Sequence, residues 1–495
     1  MRSSIPLSAA TLDRLDERQI AVPQYDRTSI RPGIVHFGVG SFHRAHEAMY
    51  LDRLMNEGLA FEWAVTGVGL LPGDRRMGDV LAAQDGLYTL LVKGPDGTSA
   101  RVIGSISDYI YAPDRPEAVL AALAAPQTRI VTLTITEGGY NVHRVTGEFD
   151  PEGPGIAHDL AETGHPATVF GFVVEALARR RSAGQAPFTV VSCDNVQGNG
   201  PVARNAFTGF ARLRDPELAE WIERHVAFPS SMVDRIAPAT TDDDRELARR
   251  RFGVVDGWPA VCEPFTQWVL EDVFPAGRPP LERAGVQLVS DVHPYELMKL
   301  RLLNASHQAI AYAGYLAGYR FVHEATADPA FRAFIRGYMR EEAAPSLQPV
   351  PGVDLDTYIE DLLGRFANAE IRDTLARICV DASERIPKFL LPVIRHQLAV
   401  DGPVDRSIAV LACWARYAEA VDEAGAPIEI VDPARDVLVA AARRQAQEPL
   451  AFVGIRAIFG DLVDDPRFAG SYLRSLAALH EHGAAATIRM FAADG

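Results

Sequence analysis

Gly33-Ile-Val-His-Phe-Gly-Val-Gly-Ser-Phe-His43 decides the architecture of this chain. A short apolar run breaks into two closely spaced glycines and passes into the helical pattern Ala45-His-Glu-Ala-Met-Tyr-Leu-Asp-Arg-Leu54, which reads as strand, turn and helix. Comparable apolar runs recur at residues 63–68, 130–135 and 188–193, with helix-like segments at 117–124 and 169–181 between them. Strands that alternate with helices predict an α/β fold with a parallel, doubly wound sheet, because parallel strands need a crossover and the helix supplies it. From about Tyr295 the pattern changes to long helical stretches at 295–319, 329–342 and 355–366, so the second half is expected to be mostly α-helical. This change of texture predicts two domains, 1–290 and 291–495.

A chain of 495 residues exceeds one ordinary hydrophobic core, and 48% hydrophobic with 23% charged residues is a globular balance. The formal charge of −16 lacks the basic footprint that a polyphosphate backbone requires, which argues against nucleic acid as a partner. The same acidity repels anions and so favours a neutral small-molecule substrate. Cys193, Cys262, Cys379 and Cys413 lie far apart with no C-x-x-C pair, which suggests neither a zinc knuckle nor a disulfide framework and fits a reducing, cytoplasmic setting. Residues 1–20 lack a signal-like apolar core, and runs such as 408–414 fall far short of the roughly 20 residues that span a bilayer. Neither export nor membrane insertion is expected.

In Gly38-Val-Gly-Ser-Phe-His43 the glycines permit a tight turn and close approach of backbone N–H groups to a pyrophosphate at a helix start. His43 stands where the generic G-x-G-x-x-G fingerprint has its third glycine, so by itself the motif reads equally as a dinucleotide loop or a plain turn. Asp74 is the candidate carboxylate for a ribose diol, which would favour NAD over NADP. It stands later than the usual offset, and Arg75 and Arg76 beside it offer partners for a 2′-phosphate instead. The alternative is a loop aspartate in a solvated cluster. Blocks such as Thr241-Asp-Asp-Asp-Arg245 read as solvated charge in a loop or at a helix start.

Within Tyr295-Glu-Leu-Met-Lys-Leu-Arg-Leu-Leu-Asn-Ala-Ser-His-Gln308, an α-helical turn of about 100° per residue puts Lys299, Glu296, His307 and Asn304 at about 0°, 60°, 80° and 140°. The remaining circumference is largely apolar, so this polar face needs a cavity or internal partners. Burial disfavours the ammonium form of a lysine, which makes Lys299 a candidate general base. Asn304 and His307 are suitable donors to an oxygen that gains negative charge, and Glu296 can pass the proton on or pair with the lysine. The competing reading is a buried polar cluster that only fixes helix packing. Metal catalysis is disfavoured: no Cys lies near a plausible His partner, H-E-x-x-H is absent, and His43 with His46 lacks evident further ligands.

The segments Gly38-Val-Gly-Ser-Phe-His-Arg-Ala-His46, Thr134-Ile-Thr-Glu-Gly-Gly-Tyr140, Ser192-Cys-Asp-Asn195, Met232-Val-Asp-Arg-Ile236, Cys262-Glu-Pro-Phe265 and Lys299-x4-Asn304-x2-His307 together resemble the polyol-specific long-chain dehydrogenases and reductases, and within them the mannitol dehydrogenase family. The resemblance covers nearly the whole chain. It implies an N-terminal Rossmann-type domain, a mostly helical C-terminal domain and a metal-free active site in the cleft between them. It also explains His43, which the family's loop carries in place of the third glycine.

By this resemblance Lys299 matches the general base, Asn304 and Asn195 the oxyanion-stabilising amides, His307 a substrate-binding and polarising residue, and Asp234 a further active-site acid. Glu296 matches a carboxylate linking the lysine to solvent, and Asp74 the acidic residue associated with NAD. Gly38, Val39, Gly40, Ser41, Phe42, His43, Arg44, Thr136 and Glu137 complete the expected cofactor contacts. Arg377 and Arg385 are expected at the substrate. The family's Asp-Gly-Ser-x-Lys reads Asp381-Ala-Ser-Glu-Arg385 here, and an arginine fork differs from a lysine in reach and geometry.

The implied reaction is reversible, NAD-dependent oxidation of D-mannitol at C2 to D-fructose, by a chain for which a monomer suffices. Hexuronate reduction (fructuronate or tagaturonate) and arabinitol or sorbitol oxidation are the alternatives within the family. A catalytically silent NAD-binding sensor is the alternative from another class; it would need the glycine loop but no base.

Overall fold

The computed structural model describes residues 4–143, 148–153, 155–161 and 164–493. The strand before the glycine turn is β1 (Pro32–Phe37), followed along the chain by β2 (Ala64–Gly69), β3 (Tyr88–Gly94), β4 (Gly97–Ile103), β5 (Ile106–Tyr111), β6 (Ile130–Leu133), β7 (Thr189–Ser192), β8 (Ser231–Asp234), β9 (Ala260–Cys262), β10 (Gln267–Glu271) and β11 (Gln287–Val289). The chain divides into two compact units, Met1–Val292 and His293–Gly495.

In the first unit β5, β2, β1, β6 and β7 form, in that order, a five-stranded parallel sheet. Its strands read as continuous apolar runs because both faces are covered. One cluster packs Phe37, Val131 and Leu133 with Phe170, Phe172 and Leu177 of the helix Val169–Ser182, while a second packs Ile34 and Val65 with Met49, Leu51 and Leu54 of the helix Glu47–Asn56. The order reverses between β1 and β6, with His36 opposite Thr132 and Phe37 opposite Leu133. In such sheets ligands bind outside the carboxyl ends of the strands at this reversal. The residues that follow Phe37, Leu133 and Ser192 therefore occupy the edge that matters.

Two three-stranded sheets lie outside the predicted alternation. β3 and β4 form an antiparallel hairpin with β9 added in parallel, and β10 pairs antiparallel with β8 and parallel with β11. A hairpin needs only a tight turn, so it carries no intervening helix to announce it. Asp244 also departs from the solvated reading: the capping box Thr241/Asp244 starts the helix Asp242–Phe252, but Asp244 is buried and pairs with Lys93 at 2.6 Å.

The second unit is helical. The stretch predicted at 295–319 is three continuous segments: an α-helix His293–Met298, a π-helix Lys299–Asn304 and an α-helix Ala305–Leu316. The stretch predicted at 329–342 is likewise an α-helix, Pro329–Gly337, running into a π-helix, Tyr338–Ala343. Among the described residues no helix is long and apolar enough to cross a membrane.

Candidate active site

The turn after β1 is built by its glycines. Gly38 has φ +94°, and a Cβ there would lie 2.1 Å from the Thr134 carbonyl oxygen, so no larger residue fits. Thr134 Oγ1 donates to the Gly38 carbonyl at 2.6 Å and fixes the turn to the end of β6. Gly40 is exposed, and a Cβ there would meet only the Gly38 carbonyl at 3.8 Å. Its bare backbone leads directly into the helix Ser41–Ala45 and fits the pyrophosphate cradle of a dinucleotide.

Beneath the turn, several candidate cofactor side chains are interior. Val39, His43 and Arg44 are buried, whereas Ser41 and Phe42 are partly accessible. Arg44 lies 5.3 Å from the Tyr88 ring and donates to the Trp258 carbonyl, so its side chain is spent inside the fold. His43 stacks on His36 at 3.6 Å, and burial holds its ring well below the usual histidine range, hence neutral.

His36, His43 and Glu47 bring potential ligand atoms within 4.8 Å of one another. The His36 and His43 rings are parallel to within 16°. Thr132 Oγ1 and His36 Nδ1 already occupy Glu47 Oε2, at 2.9 and 3.2 Å. His36 Nε2 also lies 3.2 Å from the Gly38 carbonyl and 3.0 Å from Thr134 Oγ1, which joins the cluster to the turn.

Asp74 opens the helix Asp74–Ala83 after β2. Its Oδ2 accepts the backbone N–H groups of Leu70 and Leu71 at 2.9 and 2.8 Å, which shapes the loop at the strand's carboxyl end. Arg75 pairs with Asp114 at 2.6 Å and lies over Tyr111, and Arg76 lies over Trp258. Both guanidinium groups thus have partners in place of a phosphate.

The turn after β6 presents Thr136 and Glu137, both exposed, with Thr136 at φ +66°. A β-branched residue in that region costs on the order of 1–3 kcal/mol and persists only where its surroundings impose it. They do so through Asp194, whose carboxylate accepts the N–H of Ile135 at 3.0 Å, the N–H of Thr136 at 2.9 Å and the hydroxyl of Tyr140 at 2.7 Å. Burial pushes the Asp194 carboxyl above the usual range, and these donors pull against it. Asn195 follows, exposed at the carboxyl end of β7. Asn199 bridges the Asp194 carbonyl at 3.1 Å to the Ser231 carbonyl at 2.8 Å, tying this edge to β8, which ends on buried Asp234. Arg235 then donates to the Ala45 carbonyl at 2.6 Å. Asp194, Asn199 and Arg235 had no role in the sequence reading; the adjacency of Asp194 to Asn195 was the available signal.

In the second unit the π-helix changes the geometry expected of Lys299, Asn304 and His307. The Ala305 N–H reaches the Leu300 carbonyl, five residues back. At about 80° per residue instead of about 100°, Asn304 swings from about 140° to about 40° from Lys299, and His307 moves from about 80° to about 20° on the other side of it. Lys299, Asn304 and Glu296 are 8%, 9% and 9% exposed, and the His307 ring packs 4.5 Å from Phe366. His293 Nδ1 lies 3.7 Å from Glu296 Oε2. Tyr338, fully buried, donates to the Arg301 carbonyl at 2.9 Å, satisfying a backbone group within the widened segment.

The two arginines lie on short helices packed against this element. Arg377, on Leu375–Ile378, is exposed and forms a bidentate pair with Asp373 at 2.8 and 2.6 Å. Arg385, on Ala382–Phe389, donates to the Ile378 carbonyl at 3.3 Å, which also accepts from Gln308 of the candidate helix.

Comparison with known proteins bears on this arrangement. A family profile described as the mannitol dehydrogenase Rossmann domain matches residues 32–283, and one described as the mannitol dehydrogenase C-terminal domain matches residues 291–480. The chain is 47% identical over 494 residues to a mannitol 2-dehydrogenase of Phaeosphaeria nodorum, covering 99% of this chain and 86% of that protein. It is 49% identical over 456 residues to one of Aspergillus fumigatus, covering 91% of each. Among solved structures, the Pseudomonas fluorescens mannitol 2-dehydrogenase in ternary complex with NAD and D-mannitol superposes with a TM-score of 0.89 at 45% identity, over 99% of this chain and 100% of that one. A D-sorbitol dehydrogenase in substrate-free form superposes with a TM-score of 0.90 at 38% identity, over 97% and 100%.

Proposed function

Because the chain belongs to the mannitol dehydrogenase family, we propose that it catalyses the reversible, NAD-dependent oxidation of D-mannitol at C2 to D-fructose, without a catalytic metal and with Lys299 as general base. The observation that carries the reading is the convergence of buried Lys299 and Asn304 with partly buried His307 on one side of a helix widened at that point. It is supported by the glycine turn and Asp74 at the sheet edge where a dinucleotide fits. When bound, NAD supplies the hydride acceptor.

Lys299, as the neutral amine, takes the proton from the C2 hydroxyl while the C2 hydrogen leaves with its electron pair as hydride. Asn304 and Asn195 donate hydrogen bonds to the oxygen as charge develops on it, and His307 orients and polarises the same oxygen. Glu296 carries the proton from Lys299 toward solvent, and Asp234 serves as a further acid in the substrate site. Thr136 and Glu137 join the glycine turn in holding the cofactor, and Arg377 and Arg385 border the polyol. The first unit thereby supplies cofactor binding and the second the base. In this reading a monomer suffices for the chemistry, in a cytoplasmic setting.

Lys299→Ala is expected to lower kcat by about 10³-fold or more with NADH affinity retained. Turnover essentially intact in that variant would remove the lysine from the mechanism. Chelator treatment should leave activity unchanged. The similarity to a D-sorbitol dehydrogenase supports sorbitol as a second substrate. A panel of mannitol, sorbitol, arabinitol and hexuronates with NAD and NADP decides the order of preference, and activity confined to hexuronates would overturn the choice of a neutral polyol.

A further inference from the structure

We infer that Asp194 is a positioning residue that sets the cofactor-side turn after β6 and the Asn195 amide as one unit. The inference rests on the activity proposed above and adds a residue that the match to family motifs left without a role.

Two features of the geometry point to it. On one side, both carboxylate oxygens are spent on consecutive backbone N–H groups, Ile135 to Oδ2 and Thr136 to Oδ1, and Thr136 is the residue in the left-handed region. Two adjacent donors aimed at one carboxylate fix the peptide plane between them, which helps hold Thr136 at its positive φ. This turn exposes Thr136 and Glu137 at the reversal of strand order.

On the other side, the backbone of Asp194 is itself clamped. Its N–H donates to Ser192 Oγ at 3.3 Å, its carbonyl accepts from Asn199 Nδ2 at 3.1 Å, and Ser192 Oγ and Tyr140 Oη lie 2.5 Å apart. The peptide that carries Asn195 is thus held through its carbonyl by Asn199, while the carboxylate of the same residue holds the β6 turn. One side chain, 8% exposed, couples the two ends of adjacent strands.

The test compares wild type, Asp194→Asn, Asn195→Ala and the double variant, measuring NADH dissociation constants by fluorescence and kcat and KM with D-mannitol and NAD. The asparagine keeps the size but turns a donor toward one of the two N–H groups. The expected result is an NADH dissociation constant raised about 10-fold and kcat lowered about 100-fold per folded molecule. The double variant should lose no more than about 3-fold in kcat beyond Asn195→Ala, because Asp194 acts on the oxygen only through Asn195. Wild-type kcat and NADH affinity in folded Asp194→Asn, or losses that multiply in the double variant, would overturn the inference. If Asp194→Asn does not fold, Tyr140→Phe removes one of the three donors to the carboxylate and should move both readouts in the same direction by a smaller factor; unchanged values there also overturn it. A wild-type chain silent on every polyol would remove the activity reading, while the NADH comparison would still decide the role of Asp194.

Discussion

Gly38 and Gly40 stand two residues apart, and the structure separates their duties. Gly38 is demanded by the fold, since its φ is +94° and the Thr134 carbonyl occupies the place of a Cβ. Gly38→Ala should cost about 2–4 kcal/mol, read as a lowered urea midpoint. Gly40 has room for a Cβ, so Gly40→Ala should leave that midpoint nearly unchanged while raising the NADH dissociation constant about 10-fold, the pattern of a residue kept bare for a ligand. Both glycines were legible in the sequence as a turn; which one serves the fold and which the ligand was not, because that depends on a carbonyl from a strand nearly 100 residues away. Asp74 makes the same point. Its carboxylate reads in the sequence as a candidate ribose partner, while its hydrogen bonds to Leu70 and Leu71 belong to the loop's conformation.

The element with the largest consequence is the π-helix Lys299–Asn304. Sequence periodicity assumes about 100° per residue, and on that rule Asn304 stands far around the helix from Lys299. The widened turn brings it back, and it does so because tertiary neighbours compensate for its hydrogen-bonding geometry, among them the Tyr338 hydroxyl on the Arg301 carbonyl. Tyr338→Phe should therefore lower stability by about 1 kcal/mol in urea denaturation and lower kcat more than KM, as the polar face loosens. Deleting Leu302 lets the segment return to i→i+4 bonding; helical circular dichroism and NADH binding should survive while mannitol turnover falls by about 10³-fold. Full activity in the deletion would show that the wide turn has no part in catalysis.

At the scale of the whole molecule, buried carboxylates pull stability in opposite directions with pH. Burial raises the Asp244 carboxyl, but hydrogen bonds from Lys93 and Thr241 more than offset it and hold it below the usual aspartate range. A depressed carboxyl contributes stability above its unfolded pKa, and that contribution is lost as pH falls through the folded value. Asp244→Asn should cost about 2 kcal/mol at neutral pH, with the difference from wild type vanishing in strong acid. Asp52, Asp194 and Glu342 are raised by burial against their hydrogen bonds, so their contribution is fully present below the unfolded pKa and is lost as pH rises through the folded one. Acid titration of the thermal midpoint for wild type and Asp244→Asn separates the two groups.

Local chemistry made the strand–glycine–helix unit, the alternation behind the parallel sheet and the helical second half readable from the amino-acid order alone. Each rests on a periodicity or a residue type that acts on its immediate neighbours, and the family motifs added the chemical roles. What only the tertiary structure decided are relations between distant segments: the hairpin and mixed sheets, the burial of Asp244 against Lys93, the widened turn that gathers Lys299, Asn304 and His307, and the grip of Asp194 on Thr136. Hydrogen bonds of that kind depend on which strand ends the fold sets side by side. No run of neighbouring residues encodes that.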